Sequence, residues 1–162
     1  MKVIAALLVI GLAGSFLYQF YGQRHTGEPL SYFYDLSQEA LFVAPKSSVP
    51  PMRGIDNDKE DAVRAVVIAK DGNCDNPKSR EIAYLEMYSP ELKAQFESFR
   101  QKDVSHHSST QTLSRSQAKA HHFVQKPGDS RWYPIESRRG IEITEGWRRS
   151  MPQGNPFSVC VP

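Results

Sequence analysis

From Val3 to Leu17 the chain carries no charged side chain, and the apolar run continues through Tyr18 and Phe20 with only Gln19 interrupting it. In a helix rising about 1.5 Å per residue, eighteen to twenty such residues reach about 27–30 Å, the thickness of the bilayer hydrocarbon. A chain that opens this way starts in a membrane or passes through one. Two readings compete. As a cleaved secretory signal, the segment has a short positive start at Lys2, an apolar middle and a cut site after Ser15, with Ala13 at the −3 position. As an anchor, it stays apolar beyond that site, through Phe16, Leu17, Tyr18 and Phe20. Tyr18, Phe20 and Tyr21 then fall where interfacial aromatics belong, followed by Arg24 and His25. A signal peptide turns polar after its cut and this segment does not, so the anchor is favoured. Residues 1–22 are read as a transmembrane helix whose lipid-facing residues include Val3, Leu7, Leu8, Ile10, Leu12, Phe16, Leu17 and Phe20. No Cys follows the apolar run and no Gly-Phe-x-x-x-Glu opens it, which excludes lipoprotein and type IV prepilin processing. The charge asymmetry is slight and favours a cytoplasmic N-terminus with the bulk of the chain periplasmic or otherwise extracytoplasmic.

Residues 23–29 form a short tether, and 30–162 are long enough for one domain with a real core. An aromatic content of 10% argues against wholesale disorder. Residues 1–100 hold 11 basic against 13 acidic side chains and residues 101–162 hold 9 against 5, so the second part is basic. Arg138, Arg139, Arg148 and Arg149 contribute most to that excess. It suits anionic headgroups or an acidic partner, or else an ordinary solvated surface interleaved with Glu136, Glu142 and Glu145. Nucleic acid is not expected as a partner, since the domain faces a compartment without it. Two cysteines, Cys74 and Cys160, permit one disulfide in an oxidising compartment or two separate thiols; sequence does not decide.

Local patterns predict an α+β fold, a small antiparallel sheet with one or two packed helices. Residues 31–35 and 40–44 read as a hairpin around the polar turn 36–39. The run AVRAVVIAK at 62–70 is the strongest strand, and EIAYLEM at 81–87 is its partner across a polar turn. Ser89, Pro90 and Glu91 mark a helix start, with Leu92, Phe96 and Phe99 as its expected buried stripe. Residues 104–120 are rich in Ser, Thr, Gln and His and read as a flexible loop. Short strands follow at 122–125 and 131–133. Residues 141–147 alternate like a strand, yet Ser137 as N-cap and the spacing of Gly140, Ile143 and Trp147 favour a helix. Residues 157–161 can add an edge strand.

The anchor followed by Tyr32-Phe33-Tyr34-Asp35-Leu36, Leu41-Phe42-Val43 and Val49-Pro50-Pro51, with Pro127-Gly128-Asp129, Trp132, Pro134, Ser137 and Gly140 further on, resembles a group of small, uncharacterised bacterial single-pass membrane-anchored proteins. The resemblance implies a bacterial, extracytoplasmic setting and transfers no functional residue.

Candidate chemistry is sparse. His106-His107 and His121-His122 are weak metal candidates, because neighbours in a strand point to opposite faces and seldom serve one ion. Residues 56–61 and 71–76 alternate oxygens as calcium loops do. Both lack glycine at the sixth place, and Val67 and Ile82 stand where a bidentate Glu belongs. There is no Gly-x-Ser-x-Gly, His-Glu-x-x-His, Cys-x-x-Cys, P-loop or Gly-x-Gly-x-x-Gly. No enzyme activity, cofactor or metal is expected. An interaction surface is read in Tyr32, Tyr34, Trp132, Tyr133, Arg138, Arg139, Trp147, Arg148 and Arg149, with ordinary core packing as the other reading of its aromatics. The sequence thus points to a single-pass accessory or structural subunit that contacts the lipid bilayer and other membrane-protein subunits. The alternatives are a secreted binding protein released by signal cleavage and, further off, a metal-binding protein or enzyme.

Overall fold

The computed structural model describes residues 27–55, 58–100, 113–149 and 158–162. The apolar run of residues 1–22, most of the tether, and His106 and His107 lie outside them. Among the described residues no helix is long and apolar enough to cross a membrane.

The described residues form an α+β fold with seven antiparallel strands and three α-helices. The strands are β1 (Leu30–Asp35), β2 (Ala40–Pro45), β3 (Ala62–Ala69), β4 (Arg80–Tyr88), β5 (His122–Gln125), β6 (Tyr133–Pro134) and β7 (Ser158–Cys160). The helices are α1 (Pro90–Arg100), α2 (Arg115–Ala120) and α3 (Arg138–Arg149). The ladder runs β2-β1-β3-β4-β5-β6, and β7 pairs with β3. β1 pairs with β3 at residues 62–64 and β7 pairs with it at 67–69, so the two lie end to end along β3. The β-branched run singled out in the sequence is therefore the middle of the sheet. Its residues Ala62, Val63, Val67, Ile68 and Ala69 are almost fully buried.

Alternation sorts the side chains onto two faces. One face gathers Tyr32, Val63, Ala65, Val67, Ala69, Leu85 and Cys160, with Tyr34, Cys74, Ile82, Met87 and Trp132 packed against them. The other presents Phe33, Ile68 and Val124. On that side α1 lays Phe96 against the Tyr88 ring, 5.0 Å between centroids, and α3 brings Ile143 beside Ile68. Between Val66 and Val67 the pairing with β4 shifts from Tyr84 to Ile82, so Ala83 is the extra residue of a bulge.

The β1–β2 turn is built by Asp35. Its Oδ1 accepts from Ser37 N–H (3.0 Å), Ser37 Oγ–H (3.0 Å) and Gln38 N–H (2.9 Å), while Oδ2 accepts from Ile55 N–H at 2.6 Å. Burial alone raises the pKa of this carboxyl. The donations from Gln38, Ile55 and Ser37 outweigh it and hold the group below its ordinary 3.8.

Two expectations change. The stripe assigned to α1 is buried only at Leu92; Phe96 and Phe99 are 39% and 46% exposed. The helix meets the sheet through buried Leu92 and one side of the Phe96 ring, and Phe99 in its last turn stays at the surface. The loop expected over 104–120 contains α2. Ser114 caps it, accepting from Gln117 N–H, and the Gln117 side chain returns to Ser114 N–H at 2.9 Å. The Ser/Gln content that suggested a loop includes this reciprocal cap.

Candidate functional site

Three places bring functional side chains together. The first is the edge formed by β2. Register sets Leu30 opposite Pro45, Tyr32 opposite Val43 and Tyr34 opposite Leu41, so Leu30, Leu41 and Val43 share one face. They are 43%, 39% and 45% exposed. β2 ends the ladder, and among the described residues no strand pairs with its outer side. The strand ALFVAP contains no charge, so it lacks the Lys or inward charge that commonly blunts an edge.

The second is a groove of about 680 Å³ between α3 and the sheet. Ile68, Ile82, Ala83 of the bulge, Ile143 and Trp147 supply its apolar surface. Ser137 starts α3 by accepting from Gly140 N–H at 3.0 Å, which turns Ile143 and Trp147 toward the sheet. The Trp147 indole N–H donates to Thr144 O at 2.8 Å, and Arg148 stands 5.0 Å above its ring. Charges line the rim. Lys70 pairs with Glu81, and Arg139 pairs with Glu142 at 3.1 Å. Lys126 also borders the groove, and among the described residues no carboxylate stands within ion-pair distance of it.

Gly146 forms the lip of this groove. A Cβ there would meet nothing within 4 Å among the described residues. Gly140, six residues earlier, is different: a Cβ would lie 2.2 Å from Pro134 O and 2.8 Å from Ile135 O. Only the bare backbone lets α3 approach the β6 turn so closely.

The third is polar. Ser89 Oγ and His121 Nδ1 share a hydrogen bond of 2.8 Å, and Glu91 Oε2 lies 3.6 Å from that same ring nitrogen. Ser, His and Glu in contact invite a hydrolase reading, but a relay needs the hydroxyl and the carboxylate on opposite nitrogens. Here both face Nδ1. Ser89 Oγ also accepts from Leu92 N–H at 3.3 Å, as an N-cap. The cluster starts α1. Glu91 is held below the usual carboxylate range by the Ser89 hydroxyl first and by its own backbone N–H next.

His122 points the other way. Its ring sits 4.9 Å from Tyr88, and Nε2 lies 3.8 Å from Glu86 Oε2. Burial, and then the Glu86 charge and hydrogen bond, push the neighbouring Tyr84 hydroxyl up to about 12. Among the described residues no three His, Cys, Asp or Glu side chains converge as a metal site would require. The oxygens of Asp71, Asn73 and Asn76 accept from the backbone N–H of Asn73, Asp75 and Lys78, capping turns.

The residues singled out as an interaction surface separate. Tyr32 is a core residue, 6% exposed, and Tyr34 and Trp132 pack on the same cluster. Tyr133 is half-buried under Arg131. Arg138, Arg139, Arg148 and Arg149 are exposed along α3, and Arg139 and Trp147 line the groove. Cys74 and Cys160 are joined, their Cα atoms 5.4 Å apart across 86 residues. The β2 edge and the groove did not emerge from sequence reasoning. The uncharged strand 40–45 hinted at the first, while the second depends on residues far apart in the chain. Comparison with protein-family models, curated proteins and solved structures yields no match to this chain.

Proposed function

We propose that this chain is an extracytoplasmic, single-pass accessory subunit, held in the bilayer by residues 1–22 and docked onto another membrane-protein subunit through β2. The observation that carries the reading is the uncharged outer strand with Leu30, Leu41 and Val43 exposed beside it. Strand addition there satisfies backbone groups and buries apolar surface at once. The Cys74–Cys160 bond agrees with an oxidising compartment. The Ser89, His121 and Glu91 arrangement gives no support to acyl-transfer chemistry.

The test is photo-crosslinking in native membranes with benzoylphenylalanine at Val43 of the full chain, and at exposed Lys78 as the control position. Val43 should give a discrete partner product, reduced several-fold by Leu41→Lys, while the unfolding midpoint holds. Equal products from Val43 and Lys78, or none from either, would overturn the assignment. A second reading, a free binding protein released by signal cleavage, draws on the groove. Mass spectrometry of the mature N-terminus separates the two.

A further inference from the structure

We infer that the groove between α3 and the sheet is a binding site for a small amphipathic carboxylate, with its apolar body on Ile68, Ile143 and Trp147 and its anionic end at Lys126 and Arg139. This site is separate from the β2 edge and holds whether or not the leader is retained.

Three observations carry it. The first is size and lining: about 680 Å³ lies inside the range of about 300–1,000 Å³ typical of small-ligand pockets, and the lining joins the apolar side chains of Ile68, Ile82, Ile143 and Trp147 to charged ones, which suits a ligand with both an apolar and a polar part. The second is charge. Lys70 and Glu81 neutralise each other, and Glu142 is shared by Arg139 (3.1 Å) and Arg138 (3.6 Å). Lys126 is left without a carboxylate partner among the described residues, and Arg148 sits on the Trp147 ring that lines the groove. The border therefore favours a negative group, and an apolar neighbourhood strengthens that attraction over what water allows.

The third is Gly146. Glycine inside a helix lowers stability relative to alanine, so it generally has a reason. Gly140 has one in the carbonyls of Pro134 and Ile135. Gly146 has no positive φ, and among the described residues a Cβ there would strike no atom. Its missing side chain adds no bulk to the lining of the groove.

The experiment uses the full chain in zwitterionic lipid nanodiscs, with empty nanodiscs as the baseline. The probe is 3-[4-(trifluoromethyl)phenyl]propanoate, titrated by ¹⁹F NMR line broadening alongside the corresponding alcohol and primary ammonium. The carboxylate should saturate and bind at least tenfold more tightly than the alcohol, with the ammonium weaker still. Gly146→Leu should weaken it tenfold or more without lowering the unfolding midpoint. Lys126→Glu, a fully surface change, should lower carboxylate affinity at least fivefold and leave the alcohol unaffected. No saturation up to millimolar probe, equal binding of the three probes, or undiminished binding in Gly146→Leu would each overturn the assignment.

Discussion

Replacing each of two glycines on one helix by alanine should move stability in opposite directions. Gly140 and Gly146 both lie in α3. Alanine is favoured over glycine in a helix interior by about 1 kcal/mol, whatever the surroundings. At 146 the added methyl meets nothing within 4 Å among the described residues, so Gly146→Ala should realise most of that gain. With a urea slope of about 2 kcal/mol/M, the unfolding midpoint rises by about 0.5 M. At 140 the same methyl stands 2.2 Å from Pro134 O, 2.8 Å from Ile135 O and 2.9 Å from Ile135 C, where real Cβ atoms keep beyond 3.0 Å. All three obstacles are backbone, so no rotamer change relieves them. The start of α3 must back away by roughly 1 Å, which strains the 3.0 Å bond from Gly140 N–H to Ser137 Oγ. Overpacking of this kind costs about 1–3 kcal/mol, and the severity of the overlap points to the upper end. After the helical gain is subtracted, the midpoint should fall by about 0.5–1 M. Urea unfolding followed by tryptophan fluorescence reads both variants. Midpoints that move the same way would refute the packing argument, because propensity acts equally at both sites.

Replacing Cys74 and Cys160 by Ser opens a loop of 86 residues. The chain-entropy relation gives a loss of up to about 4.6 kcal/mol, and an unchanged midpoint in the double variant would contradict it. Asp35 has a folded pKa below 3.8, so its contribution to stability is present above that value and fades as pH falls through the lower folded one. Asp35→Asn should be less stable at neutral pH and show a flatter acid limb in unfolding midpoints between about pH 2 and 6; an identical limb would sink the assignment. Tyr84 is raised from 10.0 to about 12, so the stability it contributes is complete below the first value and lost on the way to the second. Burial raises Tyr88 as well, so ultraviolet titration of tyrosinate should show a late-ionising amplitude that shrinks by one group in Tyr84→Phe, and an unchanged amplitude there would refute the placement.

What could be read in the sequence was local. The hairpin, β3, β4 and α3 follow from alternation, β-branched content and the caps at Ser89 and Ser137, each set within a few residues. The stripe Leu92, Phe96 and Phe99 had the right period, but period says which residues share a side of a helix, not how many turns meet a sheet. Composition hid α2 because its cap uses the same Ser and Gln that loops favour. The groove joins Ile68 and Lys70 to Lys126, Arg139 and Gly146, and its floor depends on the Ala83 bulge. Ser89 meets His121 across 32 residues. The outer position of β2 is a property of the ladder as a whole. Neither spacing nor composition reports these, because tertiary packing alone sets them.

The sulfur bond between loop and C-terminal strand has a topological consequence. Once oxidised, everything from β4 through β7 belongs to a single covalent macrocycle running from residue 74 to residue 160. A protease nick anywhere inside that ring breaks the backbone without releasing a fragment. Both ends of the cut stay attached to the central strand until the sulfurs are reduced.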